Sequence, residues 1–192
     1  MVEPDRNNFP NLLQQVKNYL KDQTGDKQAY AQHLHRLDRP VSGVVLFTKK
    51  QEYLRNLSEQ FAQRTVSKYY LALTSNAPEA KTGVLEHWHR KEKKKAVLVS
   101  ETTDYAEKVK LEYNVTPHGN YFLWHIKLHT GKFHQIRVQL ASLGCPIIGD
   151  ELYGSKEVYL PNSIALHATK LTIKHPLSEL QMTFEAGDFK TF

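Results

Sequence analysis

The segment His35-Arg36-Leu37-Asp38-Arg39-Pro40-Val41-Ser42-Gly43 runs directly into the apolar Val44-Val45-Leu46-Phe47. One carboxylate stands among three cations: Arg36 and Arg39 flank Asp38, and His35 lies three residues upstream. Pro40 and Gly43 are turn residues, and Val44 to Phe47 reads as a strand. By itself the segment is ambiguous. In its plainer reading, Asp38 caps the amides of an ordinary turn and the arginines are solvated. The rest of the chain decides against that reading.

With 192 residues, 40% of them hydrophobic, the chain is long enough to bury one sizeable core and nothing in it demands a second. Lys and Arg number 26 against 20 acidic residues, a formal charge of +6 and a pI near 9.2. That balance favours a polyanionic partner, of which nucleic acid is the commonest. The lone cysteine, Cys145, allows no internal disulfide, and no apolar run approaches the roughly 20 residues that span a bilayer. The opening Val2-Glu3-Pro4-Asp5-Arg6-Asn7-Asn8 is polar and turn-rich where a secretory signal would be apolar, so a cytosolic location and no membrane partner are expected.

Apolar spacing predicts helices over about Pro10 to Asp22 and Gln51 to Gln63. Between Thr65 and Thr74, alternation sets Lys68, Tyr70 and Ala72 on one face and Tyr69, Leu71 and Leu73 on the other, so Tyr70 is expected to face a cleft outside the leucine-lined core. Gly83 to Ser100 reads as a hairpin whose basic run, Lys91 to Lys95, lies near Trp88. A solvated loop and a nucleic-acid contact suit that run about equally. Lys108 to Val115, Tyr121 to His129, Ile164 to Lys174 and Met182 to Phe184 read as strands. Phe133, Ile136, Leu140 and Leu143 form a helical stripe closed by Gly144, with Arg137 at its margin and able to reach inward.

These blocks, taken in order, resemble the RluA-type RNA pseudouridine synthases. His35-Arg36-Leu37-Asp38 with Ser42-Gly43 is similar to that family's active-site signature, and Lys68-Tyr69-Tyr70-Leu71-Ala72 to its Lys-x-Tyr-Leu-Ala strand. Thr130-Gly131-Lys132-Phe133-His134-Gln135-Ile136-Arg137-Val138 resembles its Thr-Gly-Arg-x-His-Gln-Ile-Arg-Val block. Gly149-Asp150-x-x-Tyr153-Gly154, Leu166-His167-Ala168 and His175-Pro176 follow. Val41, Lys132 and Gln139 depart from the family's common Thr, Arg and His. The family's opening strand and the S4-like RNA-binding domain of some relatives are not found, so the chain reads as a short or partial form whose catalytic domain binds RNA unaided.

The resemblance implies one α+β domain over residues 1–192: a mixed, mostly antiparallel sheet with flanking helices and a basic catalytic cleft. It implies isomerisation of uridine to pseudouridine in structured rRNA or tRNA by a monomer, without metal or cofactor. Asp38 would be nucleophile or base. Tyr70 would stack on the base and handle protons, and Arg137 would be chiefly the electrostatic partner of Asp38. Arg36 would fill the gap left by a flipped uridine. His35, Arg39, Lys68, Lys132, His134, Gln135, Lys93, Lys94 and Lys95 are the further expected RNA contacts.

Other readings carry less. His33-x-His35 and His87-x-His89 have metal-like spacing but lack accompanying Cys or carboxylate ligands at characteristic intervals. Thr130-Gly131-Lys132 lacks the earlier glycine of a P-loop. A non-catalytic RNA-folding module would not need Asp38, Tyr70 and Arg137 together, and a phosphohydrolase built on Asp38 and His35 would need a metal set or a phosphate-cradling loop.

Overall fold

The computed structural model describes Val2 and residues 10–187; residues 3–8, read above as a polar, turn-rich opening, lie outside the described residues. Helix α1 (Leu12–Thr24) starts later than Pro10 because Asn11 is its cap, accepting the Gln14 amide at 2.9 Å. Its end is set by Gly25 in the left-handed region, φ 72°. No residue of α1 is fully buried, so it lies at the periphery.

Of the predicted strand Val44 to Phe47 only Phe47 lies in a strand, and three two-residue strands stand in this part of the chain. They are β1 (Gln32–His33), β2 (Ser42–Gly43) and β3 (Phe47–Thr48), with β1 pairing to β3. A 3-10 turn at Gln51–Tyr53 leads into α2 (Leu54–Ala62). There follow β4 (Ser67–Thr74), β5 (Thr82–Glu92), β6 (Lys95–Val99), β7 (Glu107–His118) and β8 (Tyr121–Leu128). The chain closes with α3 (Gln135–Ser142), β9 (Leu166–Lys174) and β10 (Gln181–Glu185).

The main sheet runs β10-β9-β4-β8-β7-β5-β6, antiparallel throughout, with β2 joined in parallel to β9. This is an α+β fold with a mostly antiparallel sheet, as expected. Trp124, Ile126 and Leu128 of β8 enter the main core while His125 is exposed, which follows the predicted alternation. A smaller cluster of Leu57, Val66, Leu171 and Ile173 forms beneath α2.

Two expectations are corrected. Tyr70 lines a cleft as expected, but at 9% exposure it also shares the buried main core with Leu73, so the two faces of β4 do not divide between cleft and core. A register shift between Tyr69 and Tyr70 against β9 interrupts the simple alternation. Helix α3 has no single apolar stripe. All six residues from Gln135 to Leu140 are buried, because the helix packs against β5, β6 and the turn at Glu151–Tyr153, and Leu143 is exposed instead.

Candidate active site

Asp38 sits where a loop crosses the end of β9. Its carbonyl accepts the Val41 amide at 2.9 Å, closing the turn, while Leu37 and Val41 on either side pack into the main core. Gly43 has φ 121° and lies so close to β9 that any Cβ would overlap the backbone of Ala168. The Val44 amide donates to the Ala168 carbonyl at 2.9 Å, and Ser42 Oγ and His167 Nδ1 are 2.7 Å apart. The Ser42-Gly43 pair of the signature thus fastens the aspartate loop to the sheet.

Arg137 reaches the same place from α3, whose own position is fixed by a buried polar ladder. Thr130 Oγ1 accepts the Lys110 amide at 2.9 Å and donates to Gln135 Oε1 at 2.7 Å. Gln135 Nε2 donates to the Lys110 carbonyl and to Gln139 Oε1. Gln139 Nε2 in turn bonds the Leu85 carbonyl and His87 Nδ1, at 3.2 and 3.0 Å. The substitution of Gln for the family's common His at position 139 therefore leaves a satisfied group.

The strongest partner of Arg137 is not Asp38. Its Nε and Nη2 donate to the two oxygens of Asp150 at 2.7 and 2.8 Å, a bidentate pair whose side chains are 5% and 1% exposed. Nη1 extends to Asp38 Oδ2 at 3.5 Å. Tyr153 lies under the guanidinium, 5.0 Å from ring centroid to Cζ. Asp150 and Tyr153 both stand in the quoted Gly149-Asp150-x-x-Tyr153-Gly154 block, so their signal was in the sequence, but nothing local to that block points to Arg137, 13 residues upstream in a different element.

Asp38, Tyr70 and Arg137 line one cleft of about 420 Å³ with Arg36, Lys68 and Lys132. Burial pushes the Asp38 carboxyl above its ordinary value, against the charge and hydrogen bond of Arg137; Asp150 adds to the rise and Arg36 opposes it. Burial, then the Asp38 charge, drives the Tyr70 phenol far up, so it enters the site protonated. Asp38 is thus a carboxylate with raised basicity beside a fixed guanidinium and a neutral phenol, an arrangement suited to nucleophilic or basic attack on a bound base or sugar.

The other expected RNA contacts divide. His35 is not a cation: burial, with Lys68 and His33, lowers it to about 4. Its Nε2 accepts the Leu46 amide at 3.1 Å and its ring stacks on Phe61, so it serves the loop. Gln135 borders the cleft but is 2% exposed and engaged in the ladder. His134 faces Asp38, its Nε2 lying 3.7 Å from Oδ2. Lys68 and Lys132 line the cleft, Lys132 paired with Glu107. Arg36 and Arg39 are exposed, the former at the cleft and the latter beside a neighbouring depression. Lys93, Lys94 and Lys95 are exposed at the tip of the β5–β6 hairpin. Among the described residues no group of three or more His, Cys, Asp or Glu side chains is placed to hold a metal, and no helix is long and apolar enough to cross a membrane.

The same fold is found in solved structures. The human RNA pseudouridylate synthase domain containing 4 superposes with a TM-score of 0.76 at 23% identity, over 93% of this chain and 79% of that one. The likeness shows the fold. In sequence, a model of the family described as RNA pseudouridylate synthase matches residues 6–142. The dual-specificity RNA pseudouridine synthase RluA of Escherichia coli (strain K12) is 31% identical over 187 residues, 94% of this chain and 84% of that protein. An uncharacterized RNA pseudouridine synthase of Aquifex aeolicus (strain VF5) is 32% identical over 180 residues, 83% of this chain, which spans about half (54%) of that relative's length. The chain belongs to the RNA pseudouridylate synthase family.

Proposed function

We propose that this chain isomerises uridine to pseudouridine in structured RNA, with Asp38 as the reacting carboxylate. The observation that carries the reading is Asp38 itself, a carboxylate of raised basicity held at the mouth of a basic cleft beside an arginine that Asp150 fixes bidentately. A structural turn aspartate has no use for that neighbour.

In this reading a uridine leaves its stack and enters the cleft, where Tyr70 offers a neutral aromatic face. Asp38 acts on the nucleoside as nucleophile or base while the N1 bond to the ribose breaks. The freed ring turns, C5 bonds to the ribose carbon, and the proton displaced from C5 is balanced by one gained at N1. Arg137 keeps Asp38 ionised and oriented. Arg36 occupies the place vacated by the flipped base, and the exposed hairpin lysines bind phosphates. The substrate is an rRNA or tRNA stem-loop. Residues 1–192 act as one catalytic domain, as a monomer in the cytoplasm, without metal or organic cofactor.

Asp38→Asn separates this reading from a turn role, since Asn bonds turn amides about as well as Asp. The variant is expected to fold, to bind RNA with affinity close to that of the wild type and to form no detectable pseudouridine in single-turnover assays with excess enzyme on total RNA from cells lacking the gene. Turnover within a few-fold of the wild type would remove Asp38 from the chemistry.

A further inference from the structure

Among the described residues, His134 is the imidazole that points at Asp38, and its surroundings fix more than its position. It occupies the left-handed region, φ 52° and ψ 23°, immediately before α3, so the chain turns sharply there. Phe133 stacks on its ring at 3.8 Å, and Lys91 of β5 lies 4.8 Å from the Phe133 centroid. Burial, with Arg137 and Lys91, lowers His134 to about 3, so the ring is neutral at physiological pH and carries its proton on one nitrogen only.

Tyr153 decides which one. Its hydroxyl oxygen accepts the Ala96 amide of β6 at 2.7 Å, which leaves the phenolic proton to be donated elsewhere. Two acceptors are in reach: His134 Nδ1 at 3.0 Å and the Ala96 carbonyl at 3.4 Å. The nearer is Nδ1, and burial raises the Tyr153 phenol, so its proton stays on. If Nδ1 accepts, Nε2 bears the hydrogen and points at Asp38 Oδ2. The opposite tautomer would set an Nε2 lone pair against a carboxylate oxygen. Two donors, His134 and Arg137, then converge on Oδ2, which turns Oδ1 to the substrate.

Resting on the reaction proposed above, we propose that His134 is a positioning residue for Asp38, locked as the Nε2–H tautomer by Tyr153 and the Ala96 amide. It is neutral where Arg137 is charged, so it orients the carboxylate and lowers its basicity less than a second cation would. At 3.7 Å the contact is longer than a hydrogen bond, and catalytic contacts of this kind commonly tighten only when substrate is bound. The anchor of the lock lies on β6, in the same hairpin that carries Lys93 to Lys95, so the element expected to grip phosphates also holds the tautomer.

Two substitutions at one position separate this from a backbone role. Asn is the better tolerated in the left-handed region but reaches only as far as Nδ1, whereas Gln is poorer there but places an amide N–H where Nε2–H stands. His134→Gln is expected to keep a single-turnover rate within a few-fold of the wild type, and His134→Asn to lose roughly 10- to 100-fold, with RNA affinity unchanged in both. Tyr153→Phe should fall on the Asn side. In the two slow variants the acid limb of the rate profile should move to higher pH, because Asp38 loses a donor while Arg137, Arg36, Asp150 and Tyr70 still face it. Better rescue by Asn than by Gln would overturn the proposal. So would nitrogen-15 correlation spectra of the wild-type imidazole showing the proton on Nδ1. That measurement needs no turnover, so it stands even if the wild type forms no pseudouridine, a result that would count against the reaction and not against the tautomer.

Discussion

Arg137 and the lysines at the β5–β6 tip are both part of the positive charge of this molecule, and the fold treats them in opposite ways. Arg137 is 5% exposed, stacked on Tyr153 and held by both oxygens of Asp150. Lys93 and Lys94 form an exposed two-residue turn, with Lys93 at φ 50°, and Lys95, also exposed, opens β6. A buried guanidinium acts through its direction, and each bond that fixes it is expensive to break. An exposed lysine acts through its field, which salt screens and a neighbouring lysine can replace. The same formal charge is a positioning device in one region and an attraction in the other.

The contrast is easiest to break at Arg137. Arg137→Met keeps much of the apolar stem but leaves Asp150, which is 1% exposed, without its bidentate partner, so a loss of about 3–5 kcal/mol in denaturant unfolding is expected together with background turnover. Arg137→Lys should recover part of the stability and little of the rate, because an ammonium cannot bond both Asp150 oxygens and still reach Asp38. Near-normal turnover in the Met variant would end the assignment.

A smaller effect tests Asp38 from the side of stability. Its carboxyl value is raised in the folded state, so between the ordinary value and the raised one the native protein binds more protons than the unfolded chain, and stability falls as pH climbs through that window. Asp38→Asn removes a buried charge while the Arg137 to Asp150 pair remains. The variant should unfold at higher denaturant than the wild type at neutral pH, and lose this advantage in acid below the window. An aspartate whose only task was to hold a turn would give no such gain.

The smallest effect belongs to the hairpin. Replacing Lys93, Lys94 and Lys95 with Ala should weaken binding to all RNAs alike and flatten the plot of log affinity against log salt by roughly 0.7 to 0.9 for each phosphate no longer neutralised, with the single-turnover rate at saturation unchanged. An unaltered slope would assign the tip to solvent.

Local sequence was enough to dictate the elements with a regular period and the residues that carry a motif. The half-buried β8, the hairpin, α2 and the glycine stops after α1 and α3 follow from spacing and capping, which act within a few residues. Asp38, Tyr70 and Arg137 were legible because their blocks resemble a family, and the cleft brings them together. Their partners were decided by packing. Asp150 meets Arg137 because the turn after α3 folds back on the helix, which also explains why α3 is buried on every side and has no single apolar stripe. His35 reads as a cation until burial against Phe61 makes it neutral. Gln135 reads as a polar contact until α3 turns it into the core. Charge state and hydrogen-bond partner depend on which distant groups share a low-dielectric space, and that is set by the tertiary fold, which local spacing does not encode.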